Sequence, residues 1–270
     1  MDRLAAYLPS APDSRMGHAK PNTGGLQAAD VESLDNVPVC PQCHDRGWVS
    51  VAKTVGLGFE AVPCPACYER PKREVILGRC GIPQDMIEMC RLDTYRPQTP
   101  RQHQALADCR KWVNGQLPPV LLLVGPVGVG KSHLSLAVLG ELADKGIYGH
   151  YTTSVGLFDR LKKAIGAGDF DDIWAWYCAN GLLALSDLGT QHHTDFEQER
   201  LFELIDHRIE TAFGPPVLLT VITSNLHPTD SGFDDRIASR LQNRRVVHRI
   251  EFDGPDMRRR LTPKAWGIGG

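Results

Sequence analysis

The chain has 270 residues, 42% of them hydrophobic and 23% charged, with a formal net charge of −2. This is the composition of a globular protein with a sizeable core, not a disordered or polycationic chain, so any contact with nucleic acid has to use a local basic patch. No apolar run approaches the roughly 18–20 residues that cross a membrane, and no apolar stretch follows Arg3 to make a signal peptide, so the expected location is cytoplasmic.

Residues 1–37 are rich in Ala, Pro, Ser, Gly and Asn and show no sustained period, which predicts a flexible tail. Residues 38–70 carry two Cys-x-x-Cys knuckles, Cys40-Pro-Gln-Cys43 and Cys64-Pro-Ala-Cys67, with 20 residues between them. In a reducing compartment eight cysteines argue for metal over a disulfide framework. Each knuckle offers two thiolates from one tight turn, and together they close a tetrahedral four-thiolate site with no open position, so the expected metal is a structural Zn²⁺ in a zinc ribbon. An iron–sulfur cluster is the alternative. Asp45, Gly47, Val49 and Val62 suggest a hairpin between the knuckles, with His44 a bystander. Cys80, Cys90, Cys109 and Cys178 lack such spacing and read as buried free thiols. Few basic residues lie in 38–63, so the ribbon is expected to bind a protein partner or to make mixed contacts. Residues 71–117 read as a helical connector broken at Pro83, Pro97 and Pro100.

From Pro118 to residue 262, apolar strands alternate with helices. Val120–Val124 is the first strand, Lys131–Ala143 its helix, Tyr148–Thr152 the second strand and Val155–Ile165 the next helix. Leu182–Leu185 is the third strand. Thr194 and Glu197 make a capping box for a helix over Asp195–Ala212, in which Phe196, Leu201, Leu204, Ile205 and Ile209 recur at helical spacing. Val217–Thr223, a helix over Asp234–Gln242 and a strand over Val246–Phe252 follow. The pattern predicts an α/β fold with a five-stranded parallel sheet covered by helices on both faces. Residues 263–270 read as a loose tail.

Gly125-Pro126-Val127-Gly128-Val129-Gly130-Lys131-Ser132 is the phosphate-binding P-loop pattern, placed as it requires between a strand and a helix. The glycines let backbone N–H groups turn inward onto phosphate, and the helix N-terminus adds its positive dipole end. Lys131 would reach the β- and γ-phosphates of ATP, and Ser132 would ligate Mg²⁺. Such a site also needs an acid at a neighbouring strand end. In Leu182-Leu183-Ala184-Leu185-Ser186-Asp187, Asp187 is the carboxylate available for Mg²⁺ positioning or water activation. Asn225, at the tip of the fourth strand, can orient the attacking water or the γ-phosphate.

Taken together, these residues resemble the DnaC-like helicase-loader ATPases, a branch of the AAA+ proteins that includes the IstB-like transposition ATPases. The resemblance runs from about Cys40 to Arg259. It rests on Gly81-Ile82-Pro83 with Leu92-Asp93-Thr94-Tyr95, the P-loop, Tyr151-Thr152-Thr153, Ser186-Asp187-Leu188-Gly189, Thr223-Ser224-Asn225-Leu226, Asp235-Arg236-Ile237-Ala238-Ser239-Arg240-Leu241 and Phe252 to Arg258. It implies that Asn225 is sensor 1 and that Arg240, with Arg236 as second candidate, is a finger reaching a neighbouring subunit's nucleotide. It also implies that Arg258 is sensor 2. Two positions depart from the family: Ser186 stands where the Mg²⁺-binding acid is usual, and Asp256 where a serine is. The first departure implies slow hydrolysis, because a hydroxyl is a poorer Mg²⁺ partner than a carboxylate.

The basic clusters Arg244, Arg245, His248, Arg249 and Arg258, Arg259, Arg260, Lys264 could contact phosphates. The resemblance implies single-stranded DNA binding by a homo-oligomer joined through its ATP sites. The expected function is that of a helicase loader, which binds a replicative DNA helicase and uses ATP as an assembly switch. An IstB-like regulator of transposition is the alternative. A small-molecule kinase would need a lid and a substrate pocket, and neither signature is present.

Overall fold

A computed structural model describes residues 48–52, 59–63, 80–82, 84–189, 194–214, 217–230 and 234–257. The four knuckle cysteines, the basic cluster Arg258, Arg259, Arg260 and Lys264 and the expected tails lie outside the described residues. Strands β1 (Trp48–Ala52) and β2 (Phe59–Pro63) pair antiparallel, with Trp48 opposite Pro63 and Ala52 opposite Phe59. This is the expected pairing between the knuckles.

Among the described residues, two helices precede the main sheet: α1 (Gln84–Met89) and α2 (Pro100–Val113). Pro100, expected to break a helix, instead starts one. It occupies the first turn, where a missing N–H is harmless, and Thr99 caps the helix by accepting the Gln102 N–H. Then come β3 (Val120–Val124), α3 (Lys131–Asp144), β4 (Gly149–Thr153), α4 (Ser154–Ala167) and α5 (Phe170–Ala179). They are followed by β5 (Leu182–Leu188), α6 (Asp195–Glu210), β6 (Leu219–Ser224), α7 (Asp235–Leu241) and β7 (Val247–Glu251).

The five strands run parallel in the order β4-β5-β6-β3-β7. Strand alternation splits their side chains between two cores. Leu121 and Leu123 of β3 join Leu134, Ala137 and Val138 of α3 with Ala105, Cys109 and Trp112 of α2. Val120, Leu122 and Val124 face the other way, onto Leu157 and Leu161 of α4, Tyr177 of α5, Leu201, Leu204 and Ile205 of α6 and Ile237 of α7. Because both faces are covered, β3 and the first four residues of β5 read as continuous apolar runs.

Further local features differ from expectation. Helix α5 was not foreseen, since its aromatic-rich sequence is a weak helix former; it is held by burial of Tyr177, which is fully enclosed. Phe196 keeps the helical spacing of α6 but remains 41% exposed. Strand β5 continues past Ser186-Asp187 to Leu188, through an irregularity. Of the four cysteines expected to be buried free thiols, Cys80 and Cys109 are buried, whereas Cys90 and Cys178 are half-buried. Burial raises all four thiol pKa values, to about 11 for Cys80 and Cys178.

Candidate functional site

The glycine loop leaves the C-terminal tip of β3 and enters α3. Gly128 and Gly130 have φ of +80° and +97°, conformations that residues with side chains rarely adopt. The loop is also crowded from outside. A Cβ on Gly128 would lie 1.9 Å from Oδ1 of Asp256, and one on Gly130 would lie 2.6 Å from the Tyr95 ring. The loop is therefore braced by two outer segments. Tyr95 donates its hydroxyl to the Val129 carbonyl at 3.2 Å, and the Met257 N–H bonds the Gly128 carbonyl at 2.9 Å. Buried Gln102 joins the braces, donating to the Asp253 carbonyl at 3.2 Å while accepting the Gln98 N–H at 2.7 Å.

Helix α3 opens at Lys131 with Gly130 as its N-cap, and no side chain caps its first turn. Uncapped N–H groups at the positive end of a 14-residue helix are an anion-binding arrangement. Lys131 is only 5% exposed. Its ammonium donates to the carbonyls of Gly125 and Pro126, both at 2.7 Å, and to Oδ1 of Asn225 at 2.8 Å. The loop lysine and the strand-tip asparagine, 94 residues apart, thus meet directly. Ser132 is exposed on the first turn. His133, next in line, contacts the Arg91 carbonyl through Nε2 at 3.0 Å, and burial lowers its pKa. A glycine cradle with an uncapped helix end, a buried ammonium and an exposed hydroxyl suits a nucleotide triphosphate with Mg²⁺.

Asp187 stands inside β5 rather than beyond its end. Leu185 pairs with Ile222 and Leu188 with Ser224, so Ser186 and Asp187 together oppose Thr223, the arrangement of a β-bulge. Asp187 has φ +60°, the one positive φ of a non-glycine residue among the described residues. Ser186 is fully buried and its hydroxyl lies 2.9 Å from that of Thr223. Burial raises the pKa of Tyr151; a hydrogen bond with Ser186 opposes this, and the negative charge of Asp187 adds to it.

Arg236 and Arg240 lie on α7, held by α6 of the same chain. Arg236 pairs with Glu199 at 2.9 Å and sits 4.5 Å above the Phe202 ring, and Arg240 pairs with Asp206. Of the first basic cluster, His248 contacts Asp108 and Arg249 contacts Glu251, both at 3.1 Å, while Arg244 is exposed. Sequence reasoning passed over Gln102 and Ser154, and it quoted Thr223 without giving it a role. Each is a polar residue that acquires its meaning from partners distant in sequence. The paired threonine and serine before Asn225 were the one visible hint.

The IstB-like ATP binding protein family matches residues 84–265. An insertion-sequence ATP-binding protein of Mycobacterium tuberculosis is 30% identical over 152 residues, covering 53% of this chain and 57% of the relative. One from Geobacillus stearothermophilus is 25% identical over 133 residues, covering 49% and 52%. The chain thus spans about half the length of these curated relatives. Among solved structures, the DnaC helicase loader superposes with a TM-score of 0.55 at 25% identity, covering 63% of this chain and 100% of the loader. AMPPCP-bound DnaA from Aquifex aeolicus superposes with a TM-score of 0.52 at 20% identity, covering 62% and 52%, a likeness of fold.

Proposed function

Because the chain belongs to the IstB-like ATP-binding protein family, an AAA+ P-loop group, we propose that it is an ATP-dependent loader that deposits a replicative DNA helicase on single-stranded DNA. The observation that carries this reading is the direct contact between Lys131 and Asn225 above the uncapped end of α3. In that contact a phosphate-binding cation and a strand-tip amide share one point, so a γ-phosphate arriving there would exchange with the amide for the ammonium. ATP binding would thereby be felt at the tip of β6. Support for a loader comes from the solved DnaC helicase loader chain, which is matched over its full extent by 63% of this chain.

Within this reading the N–H groups of Gly125 to Ser132 cradle the phosphates and Lys131 neutralises them. The Ser132 hydroxyl and the Asp187 carboxylate would hold Mg²⁺, which when bound screens phosphate charge. Asn225 orients the terminal phosphate or its attacking water. Arg240, with Arg236 as the second candidate, would serve an adjoining protomer's nucleotide, and Arg258, outside the described residues, would act as sensor 2. Hydrolysis would be slow, because Ser186 brings no negative charge to the strand and its hydroxyl is engaged with Thr223. The four cysteines Cys40, Cys43, Cys64 and Cys67 would hold one Zn²⁺ per chain, in a module expected to meet the helicase. Metal analysis of protein purified without chelator tests this, and a metal-free preparation would refute it.

A second reading is an ATP-dependent regulator of DNA transposition. It is favoured by the two curated relatives, both named as insertion-sequence ATP-binding proteins. The experiment that separates the two is capture of tagged protein with ATP against a hexameric replicative helicase and against a transposase. Retention of the helicase alone supports loading, and retention of the transposase alone sinks it. Lys131→Ala is expected to weaken ATP binding at least tenfold in a titration with fluorescent nucleotide. An unchanged affinity would remove the nucleotide site itself.

A further inference from the structure

Ser186 is buried, which leaves open how Asp187 can serve the phosphate side of the sheet. Before the bulge, β5 alternates in the usual way. Leu182 and Ala184 enter the core shared with α3, and Leu183 and Leu185 enter the opposite core. Continued without interruption, that alternation would place Ser186 on the α3 face and send Asp187 to the opposite one. After the bulge, Leu188 joins the core of Leu183 and Leu185 although its number is even. The extra residue has therefore been absorbed at Ser186-Asp187. Asp187, directly before Leu188, therefore falls on the face opposite it, the face on which Tyr151 packs against the α3-side core. The bulge thus turns the acid onto the face from which the P-loop helix rises.

A left-handed aspartate is strained and persists only where its surroundings hold it. Two hydroxyls do so. Thr223, with no exposed surface, accepts the Asp187 N–H on Oγ1 at 3.1 Å and lies 2.9 Å from the Ser186 hydroxyl. One side chain thereby meets both bulged residues. Ser154, the first residue of α4 and also without exposed surface, donates from Oγ to the Asp187 carbonyl at 3.2 Å. The two peptide groups of Asp187 are therefore held from β6 on one side and from α4 on the other.

We propose that Thr223 and Ser154 are positioning residues that hold the bulge and so aim the Asp187 carboxylate at the Mg²⁺-nucleotide site, in place of the charge that Ser186 lacks. This rests on the role given to Asp187 above. The test is the Mg²⁺ concentration that half-saturates binding of fluorescent ATP, measured beside single-turnover hydrolysis. Thr223→Val keeps the shape and removes the hydroxyl. It is expected to raise the Mg²⁺ midpoint at least fivefold and to slow turnover at least tenfold, while Mg²⁺-free nucleotide affinity stays within twofold of wild type. Ser154→Ala should move the same readouts in the same direction, and Thr223→Ser, which retains the hydroxyl, should restore them.

Asp187→Asn combined with Thr223→Val should be no worse than Asp187→Asn alone, because the hydroxyl acts through the carboxylate. Additive effects, or wild-type midpoints and turnover in Thr223→Val and Ser154→Ala beside a defective Asp187→Asn, would overturn the proposal. If Asp187→Asn itself matches wild type, the assignment of Asp187 fails and the positioning role falls with it. Should Thr223→Val not fold, the Ser154→Ala and Thr223→Ser comparison decides alone: a wild-type midpoint in Ser154→Ala overturns the proposal.

Discussion

Among the described residues, Arg208 is the largest side chain enclosed by the protein, at 1% exposed. Nε donates to the Thr220 hydroxyl at 3.0 Å, Nη1 to the carbonyls of Tyr177 and Asn180 at 3.0 and 2.9 Å, and Nη2 to that of Leu219 at 2.7 Å. It thus satisfies the carbonyls that end α5 while tying α6 to the start of β6, and its charge favours the negative end of α5. Burial pulls its pKa down to about 9, which leaves it charged at neutral pH. Arg208→Met is expected to destabilise the protein by at least about 3 kcal/mol, since three carbonyls lose their donor and each one left buried costs about 1–3 kcal/mol. Denaturant unfolding reads this directly, and an unchanged midpoint would refute it. Nothing in the α6 sequence marks this arginine, which adjoins apolar Ile209 and reads as a surface charge. The P-loop residues were legible for the opposite reason: their chemistry needs residue types at fixed short spacing, whatever surrounds them.

At the scale of elements, the strands and most helices were legible because burial imposes a period. The capping box of α6 was legible too. Thr194 accepts the Glu197 N–H at 3.3 Å and Glu197 accepts the Thr194 N–H at 3.0 Å. Thr194→Ala should cost about 1 kcal/mol, seen as a lowered melting temperature with the ATP affinity unaltered; an equal melting temperature would show that the box contributes nothing. Helix α5 escaped because Phe170, Trp174, Trp176 and Tyr177 carry weak helical preference, and their packing supplies what local propensity does not. Phe196 was misplaced because periodicity registers that a residue faces one side, not whether a neighbouring element covers it. Its partner is the Arg200 guanidinium, 5.9 Å from the ring centre, and not a core.

At the scale of the whole molecule, the segment before the sheet is more than a connector. Cys80, Ile87, Leu92, Tyr95 and Trp112 share one core with β3 and α3. Through Tyr95 and Gln102 that segment also braces the P-loop. Arg240, by contrast, is held on α7 by Asp206. If it serves a neighbour's nucleotide, Arg240→Ala should bind ATP as wild type does yet fail to turn it over. Mixing it with Lys131→Ala should restore activity, since the latter supplies the guanidinium and the former an intact P-loop. No recovery across a range of mixing ratios would exclude a finger in trans.

What the sequence determined by itself was the order of the strands and of most helices, the phosphate loop and the identity of the acid and amide candidates. Each is written in short-range spacing or in the period that burial demands. What only the tertiary structure decided was which way those groups face. The bulge at Ser186-Asp187, the meeting of Lys131 with Asn225 and the enclosure of Arg208 all depend on partners brought from distant strands and helices. A hydrogen bond across a sheet leaves no period in either strand, so its two ends can be paired only after the chain has folded.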